Sequence, residues 1–354
     1  MGSGNSRGKG MAMSKNFYNR SRNAKHNFYS RKSSYHPFSF GKKGIFFTFA
    51  AIALSLVIIS SFKVYTDYGL KDEMQSIEAR IKSMDNFVKG MENDIENAIF
   101  IAGFRSLLSL EDYMMKNRVF LNNPSFGSPS LNNGFEEVFK HGTITTGAVA
   151  ESIGMMKNNT FLNWTKSMII QANKTGIELG FTINDVSISQ SGPWAVEVSV
   201  DLKIDVKDKK NTASWVISKK YAKTMNITGF VDPVYLVKNN GLVNNTIKKT
   251  AVSNFGSEAN LNTHLINSYY IEHSDAPSYL MRFENNSASS SNGIESLVNS
   301  QKLIDAGLPT SARSAVDYIY YGSQVLTHCR VEEPEYSWFY LDTSHLSFYN
   351  AECD

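Results

Sequence analysis

Length alone permits two or three domains, but the ends of the chain differ too sharply for one uniform globule: its 354 residues carry 36 Lys or Arg against 33 Asp or Glu, a formal net charge of +3. Eleven of those bases and no acid fall within residues 1–66, which leaves 25 bases against all 33 acids downstream, a net of −8. A basic arm of this kind faces either nucleic acid or an anionic membrane surface, and the segment after it argues against nucleic acid as a partner.

Residues 1–44 are Gly, Ser, Asn, Lys and Arg with scattered Tyr and Phe. Without helical or strand periodicity, they are expected to be a disordered, basic cytoplasmic tail or leader. The opening MGSGNSRGKGM lacks the spacing of a phosphate loop, the Ser or Thr after its Lys, and a preceding strand. Residues 45–62 read IFFTFAAIALSLVIISSF, with no charge. At about 1.5 Å per residue this run covers roughly 27 Å, so residues 45–63 are expected to form a transmembrane helix, with the lipid bilayer as partner. No Ala-x-Ala-like site follows, as it would in a secretory signal. Arg31, Lys32, Lys42 and Lys43 place the amino terminus in the cytoplasm, which makes the protein single-pass in the cell membrane with its carboxyl-terminal region extracellular.

Over 64–118 the spacing predicts a long amphipathic stalk helix. Leu70, Met74, Ile77, Ile81, Met84, Val88, Met91, Ile95, Ala98 and Ala102 recur in strictly alternating steps of four and three, a heptad seam. Flanking charges are too few to dictate its partner. The 70–102 seam therefore pairs with identical copies, with filament neighbours, or with the chain's own downstream sheet. The helix is expected to end near Asn117, ahead of a linker over 119–150.

Residues 151–250 read as an α+β unit: a helix over 161–175, then strands over 180–190, 193–207 and 214–230. The middle strand sets Val196, Val198, Val200, Leu202, Ile204 and Val206 on one face and Glu197, Ser199, Asp201, Lys203 and Asp205 on the other. That alternation implies an antiparallel sheet with one wet face. Residues 251–354 are expected to form a smaller α+β region with strands at 279–283, 316–321 and 338–340 and a helix over 294–306. Cys329 and Cys353, the only cysteines, are expected to bridge in an oxidising exterior. The exterior assignment agrees with six Asn-x-Ser/Thr glycosylation sequons, at Asn158, Asn163, Asn173, Asn226, Asn244 and Asn285. The fold class is thus α+β: an apolar helix continuing into a long amphipathic one, then an antiparallel sheet head.

No catalytic, cofactor-binding or metal-ligating constellation emerges. CxxC, HExxH and GxSxG are absent, and His141, His264, His273, His328 and His345 show no metal-ligand spacing. His273, Ser274 and Asp275 contain the residue types of a hydrolase triad, but adjacent residues point apart. Glu332, Glu333 and Glu335 lack the interspersed Asp, Asn and Gly of a calcium loop. Nine aromatics crowd the end of the chain, from Tyr318 to Tyr349. They form either a small core or a contact patch for a carbohydrate or protein ligand.

Lys42-Lys43-Gly44 followed by Ile45-Phe46-Phe47-Thr48 resembles the class III signal of archaeal type IV pilin-like proteins. The resemblance implies cleavage between Gly44 and Ile45 and a filament-forming helix beginning at Ile45. Phe49 stands where many pilins carry a Glu, and the leader of 44 residues is longer than typical. The function expected is a non-enzymatic, membrane-anchored extracellular structural subunit, pilin-like or pseudopilin-like. The alternatives are an uncleaved, coiled-coil-stalked adhesin or binding ectodomain and, last, a hydrolase facing the exterior.

Overall fold

The computed structural model describes residues 42–125 and 130–354, and within the first helix all side chains except those of 42–46 and 64–70. Residues 1–41 of the expected basic tail therefore lie outside the described residues. Helix α1 is Lys42–Asn117. The expectation of a transmembrane helix over 45–63 is overturned, because no helix among the described residues is long and apolar enough to cross a membrane. The uncharged run of α1 over residues 45–62 holds 18 residues, against the roughly 20 predominantly apolar ones that a span needs. It also contains Ser55, Ser60 and Ser61, whose hydroxyls donate back to the carbonyls of Ala51, Leu56 and Val57, and Lys63 closes it.

The chain divides into two units, one ending at Leu70 and the other Lys71–Asp354. In the second, α1 is followed by α2 (Leu131–His141), the hairpin β1 (Thr143–Thr146) and β2 (Val149–Ser152), α3 (Phe161–Lys174) and a sheet of β3 (Ile177–Gly192), β4 (Ala195–Asp208) and β5 (Ser214–Asn226). The sheet is antiparallel with β4 in the middle. Its alternating Val, Leu and Ile residues are at most 1% exposed, and what covers them is the chain's own α1. Met84, Val88, Met91, Ile95, Ala98 and Ala102 are buried in the same core, whereas Met74, Ile77 and Ile81 are exposed. From Met84 onward the seam is therefore occupied within the molecule and is not available to a coiled-coil partner. The approach is close: a Cβ at Gly103 would meet Val198 Cγ2 at 3.2 Å and Met225 Cε at 3.3 Å. Charges fringe the contact, with Lys219 facing Glu92, Lys223 facing Glu96, and Tyr221 Oη donating to Glu92. Arg80 secures one end, its guanidinium donating to Asp208 Oδ1 at 2.9 Å and to the Gly176 carbonyl at 3.0 Å.

Part of the expected linker over 119–150 is folded. Ser130 caps α2 by accepting from the Asn133 amide, and Gly142 ends it at φ 70°, where a Cβ would press on Met156 and Thr160. Phe135, Phe139, Phe161, Trp164 and Phe181 form a ladder of rings with successive centroids 5.1–5.8 Å apart, joining α2, α3 and β3.

Beyond the sheet come α4 (Pro233–Lys238), α5 (Glu258–Asn267), β6 (Tyr270–Glu272), α6 (Tyr279–Arg282), β7 (Ile294–Ser296), α7 (Ser300–Asp305), α8 (Asp317–Tyr320), β8 (His328–Arg330), β9 (Tyr340–Asp342) and α9 (Thr343–Leu346). Several expectations need correction here. Residues 279–283 and 316–321 carry single helical turns instead of strands, and 294–306 begins as β7 and becomes helical only after Asn299 caps α7. The strand expected at 338–340 lies two residues later. These elements are three to six residues long, and all but α7 are mostly buried, so neither periodicity is expressed.

Phe255, Leu261, Leu265, Leu297, Val316, Ile319, Phe339, Leu341 and Tyr349 form a second hydrophobic cluster in this region. Cys329 and Cys353 are bonded, with Cα atoms 5.7 Å apart, and Arg330 pairs with Asp354 beside them. Closing a loop of about 25 residues contributes about 3 kcal/mol by restricting the unfolded chain. Replacing both cysteines by Ser is expected to lower unfolding free energy by that order in a urea titration. A change under about 1 kcal/mol would mean the carboxyl terminus holds its place without the bond.

Candidate functional site

The residues singled out in the sequence are dispersed. Gly44 and Ile45 lie in α1, their side chains outside the described set. Asn158, Asn173, Asn226, Asn244 and Asn285 are exposed, while Asn163 is half-buried in the first turn of α3. Asn226 accepts from both the amide and the hydroxyl of Thr228, so this sequon forms an Asx turn. Glu332, Glu333 and Glu335 are exposed. The terminal aromatics divide: Tyr318, Tyr320, Phe339 and Tyr349 are buried, whereas Tyr336 and Trp338 are half-buried and stacked at 4.9 Å.

The structure assembles a polar cluster that spacing does not reveal. His273 follows β6, Glu295 is the middle residue of β7, and Asp342 and His345 lie at the junction of β9 and α9. The approach of the 273–276 turn to β7 requires glycine at 293, where a Cβ would run into the carbonyls of His273 and Ala276. Ser274 and Asp275 are exposed, so the triad-like sequence does not act as a unit. The imidazole of His273 instead faces Glu295, with Nδ1 at 3.3 Å from Oε2. His345 Nε2 also lies 3.3 Å from Glu295 Oε2. Its Nδ1 is 2.8 Å from Asp342 Oδ1, and Tyr318 Oη is 3.3 Å from Nε2. Tyr349 Oη donates to Glu295 Oε1 at 2.7 Å, and Ser314 Oγ to Asp342 Oδ2 at 2.7 Å. Burial opposes charge on His345, but Asp342 and Glu295 outweigh it and push the imidazole up to about 10. Burial likewise opposes charge on Asp342, yet donors from His345, Ser344 and Ser314 hold it well below the ordinary carboxylate range.

A second polar cluster surrounds Arg282, which is fully buried. Its Nη1 donates to Asp232 Oδ2 at 2.6 Å and to Asp317 Oδ2 at 2.9 Å, and its Nη2 to the Ile294 carbonyl. His264 differs from both: it sits against Phe255 and Tyr349 with neither ring nitrogen hydrogen-bonded, and burial pulls it down to about 4. It is a neutral core residue.

The first unit offers a surface of another kind. Phe49, Ile52, Leu54, Leu56, Val57, Ile58 and Ile59 are 47–73% exposed. Their spacing covers every side of the helix rather than one stripe. Compared with protein-family models, curated proteins and solved structures, the chain matches none.

Proposed function

We propose that the chain is a non-catalytic structural subunit of an extracellular surface filament, similar in architecture to type IV pilins. The carrying observation is the all-round apolar surface over 49–59. Each such side chain gains about 1.5–3 kcal/mol on burial, and a helix apolar on all sides belongs in the interior of something larger. The same segment in neighbouring copies supplies that cover in a bundle of helices, and Lys71–Asp354 is the folded head each subunit carries. Phe100, Ile101 and Phe104, exposed on the part of α1 within the head, add apolar contact area. The Cys329–Cys353 bond and five exposed sequons support an oxidising exterior.

Two measurements on protein from its native cells test the reading. Amino-terminal sequencing should find a mature chain beginning at Ile45, and Leu56→Asp should abolish filaments in electron micrographs while the head still folds. A chain that keeps its basic tail, with no filaments, would overturn the proposal in favour of an uncleaved surface adhesin.

A further inference from the structure

We infer that His273, Glu295 and His345 bind one divalent transition-metal ion of the Zn²⁺ class, which staples the carboxyl-terminal segment to the β6–β7 hairpin. The three side chains come from separate segments, yet one ligand atom from each lies within 4.8 Å of the others. Glu295 Oε2 stands 3.3 Å from His273 Nδ1 and 3.3 Å from His345 Nε2. With metal–ligand bonds of about 2.0–2.1 Å, the edge of a tetrahedral site is about 3.3 Å.

Hydrogen bonding points the same way. Glu295 Oε2 and His273 Nδ1 are both buried and have no hydrogen-bond partner, the 3.3 Å approaches of His273 and His345 to that oxygen being ion-pair contacts without hydrogen-bond geometry. Such atoms are costly to leave unpaired, and a cation between them satisfies both. The outer groups are those that orient metal ligands. Asp342 receives Nδ1 of His345 and so leaves Nε2 to face the site, and Tyr349 fixes the far oxygen of Glu295. Two imidazoles and one carboxylate suit Zn²⁺ and its transition-metal neighbours better than Ca²⁺ or Mg²⁺, which prefer oxygen ligands. Tyr318 Oη or a water completes four-coordination, and the proton on His345 Nε2 leaves to solvent as the ion enters. His273 is half-buried, and the edge between the two imidazole nitrogens, which lie within 4.8 Å of each other, closes toward about 3.3 Å as the ion enters.

The test uses the full chain, purified in detergent, stripped with a chelator and titrated with Zn²⁺ and, separately, Co²⁺. Expected are one saturable equivalent, the strong visible absorption of tetrahedral Co²⁺, and a raised melting temperature with Zn²⁺ but not Mg²⁺. His273→Ala should lose the tetrahedral spectrum and the stoichiometric binding. Tyr349→Phe should weaken binding roughly 10- to 100-fold, the usual effect of removing an orienting group. Absence of a saturable equivalent would overturn the inference, as would a weak octahedral Co²⁺ spectrum that His273→Ala leaves unchanged. His273→Gln, close to His in volume, serves as the second variant should the Ala change disturb the metal-free fold.

Discussion

Arg282→Met is expected to destabilise the protein by about 3–5 kcal/mol, a large part of the 5–15 kcal/mol that holds a typical domain. Arg282 is fully buried, and among the described residues its guanidinium is the one cation facing both Asp232 and Asp317. Each carboxylate has a second duty. Asp232 caps α4 through the Val234 amide and accepts from Tyr270 Oη at 2.7 Å. Asp317 accepts from the amide and hydroxyl of Ser296 in β7. Removing the cation leaves two buried carboxyls facing each other across an apolar side chain, and the cost is their desolvation rather than the lost attraction alone. Burial raises Asp317 to about 6 even with Arg282 opposing it. Urea unfolding of the single variant, and of a triple variant carrying Asp232→Asn and Asp317→Asn as well, separates the two effects. The triple variant should recover most of the loss. If Arg282→Met costs less than about 1 kcal/mol, the network does not join α4, α6, β7 and α8 as described.

That network also shows where sequence reading reached its limit. Long periodic elements were legible: the alternation over β4 and the heptad steps from Met84 to Ala102 both become buried faces. The partner of the seam was not, although a signal existed. Glu92 and Glu96 on α1 meet Lys219 and Lys223 on β5, acids and bases spaced four apart in each segment. Around Arg282 and Asp317 the cue was misleading, because short apolar runs holding a charge read as strands when they are single helical turns buried around an ion pair. His273, Glu295 and His345 lie far apart in the chain, and only the β6–β7 pairing and the fold-back of α9 bring them together. The apolar run over 45–62 was plain in composition, but its reading as a transmembrane span did not survive.

Glu111→Gln is expected to stabilise the protein above pH 6 and to remove part of its alkaline loss of stability. Glu111 lies on the inner face of α1, 5% exposed, and accepts from Tyr279 Oη at 2.8 Å. Burial pushes its carboxyl up to about 8, against the lowering effect of hydrogen bonds from Tyr279 and the Val231 backbone, and the neighbouring Asp232 adds to the rise. Below pH 4.5 the group is protonated in both folded and unfolded chains and has no effect on the balance. Between pH 4.5 and 8 the unfolded chain releases the proton while the folded one keeps it, so stability falls as pH rises and the loss levels off above pH 8. The full loss is roughly 4–5 kcal/mol, of which roughly 3 kcal/mol is reached by pH 7. Glutamine keeps an acceptor for Tyr279 and cannot ionise. Other groups titrate over the same range, so the readout is the difference between wild type and variant in urea unfolding at pH 5 and pH 8. That difference should be small at the lower pH and favour the variant by a few kcal/mol at the higher. A Gln variant equally destabilised at both values would show that Glu111 is held as a carboxylate, with its stabilisation coming from Tyr279 and the Val231 amide rather than from a retained proton.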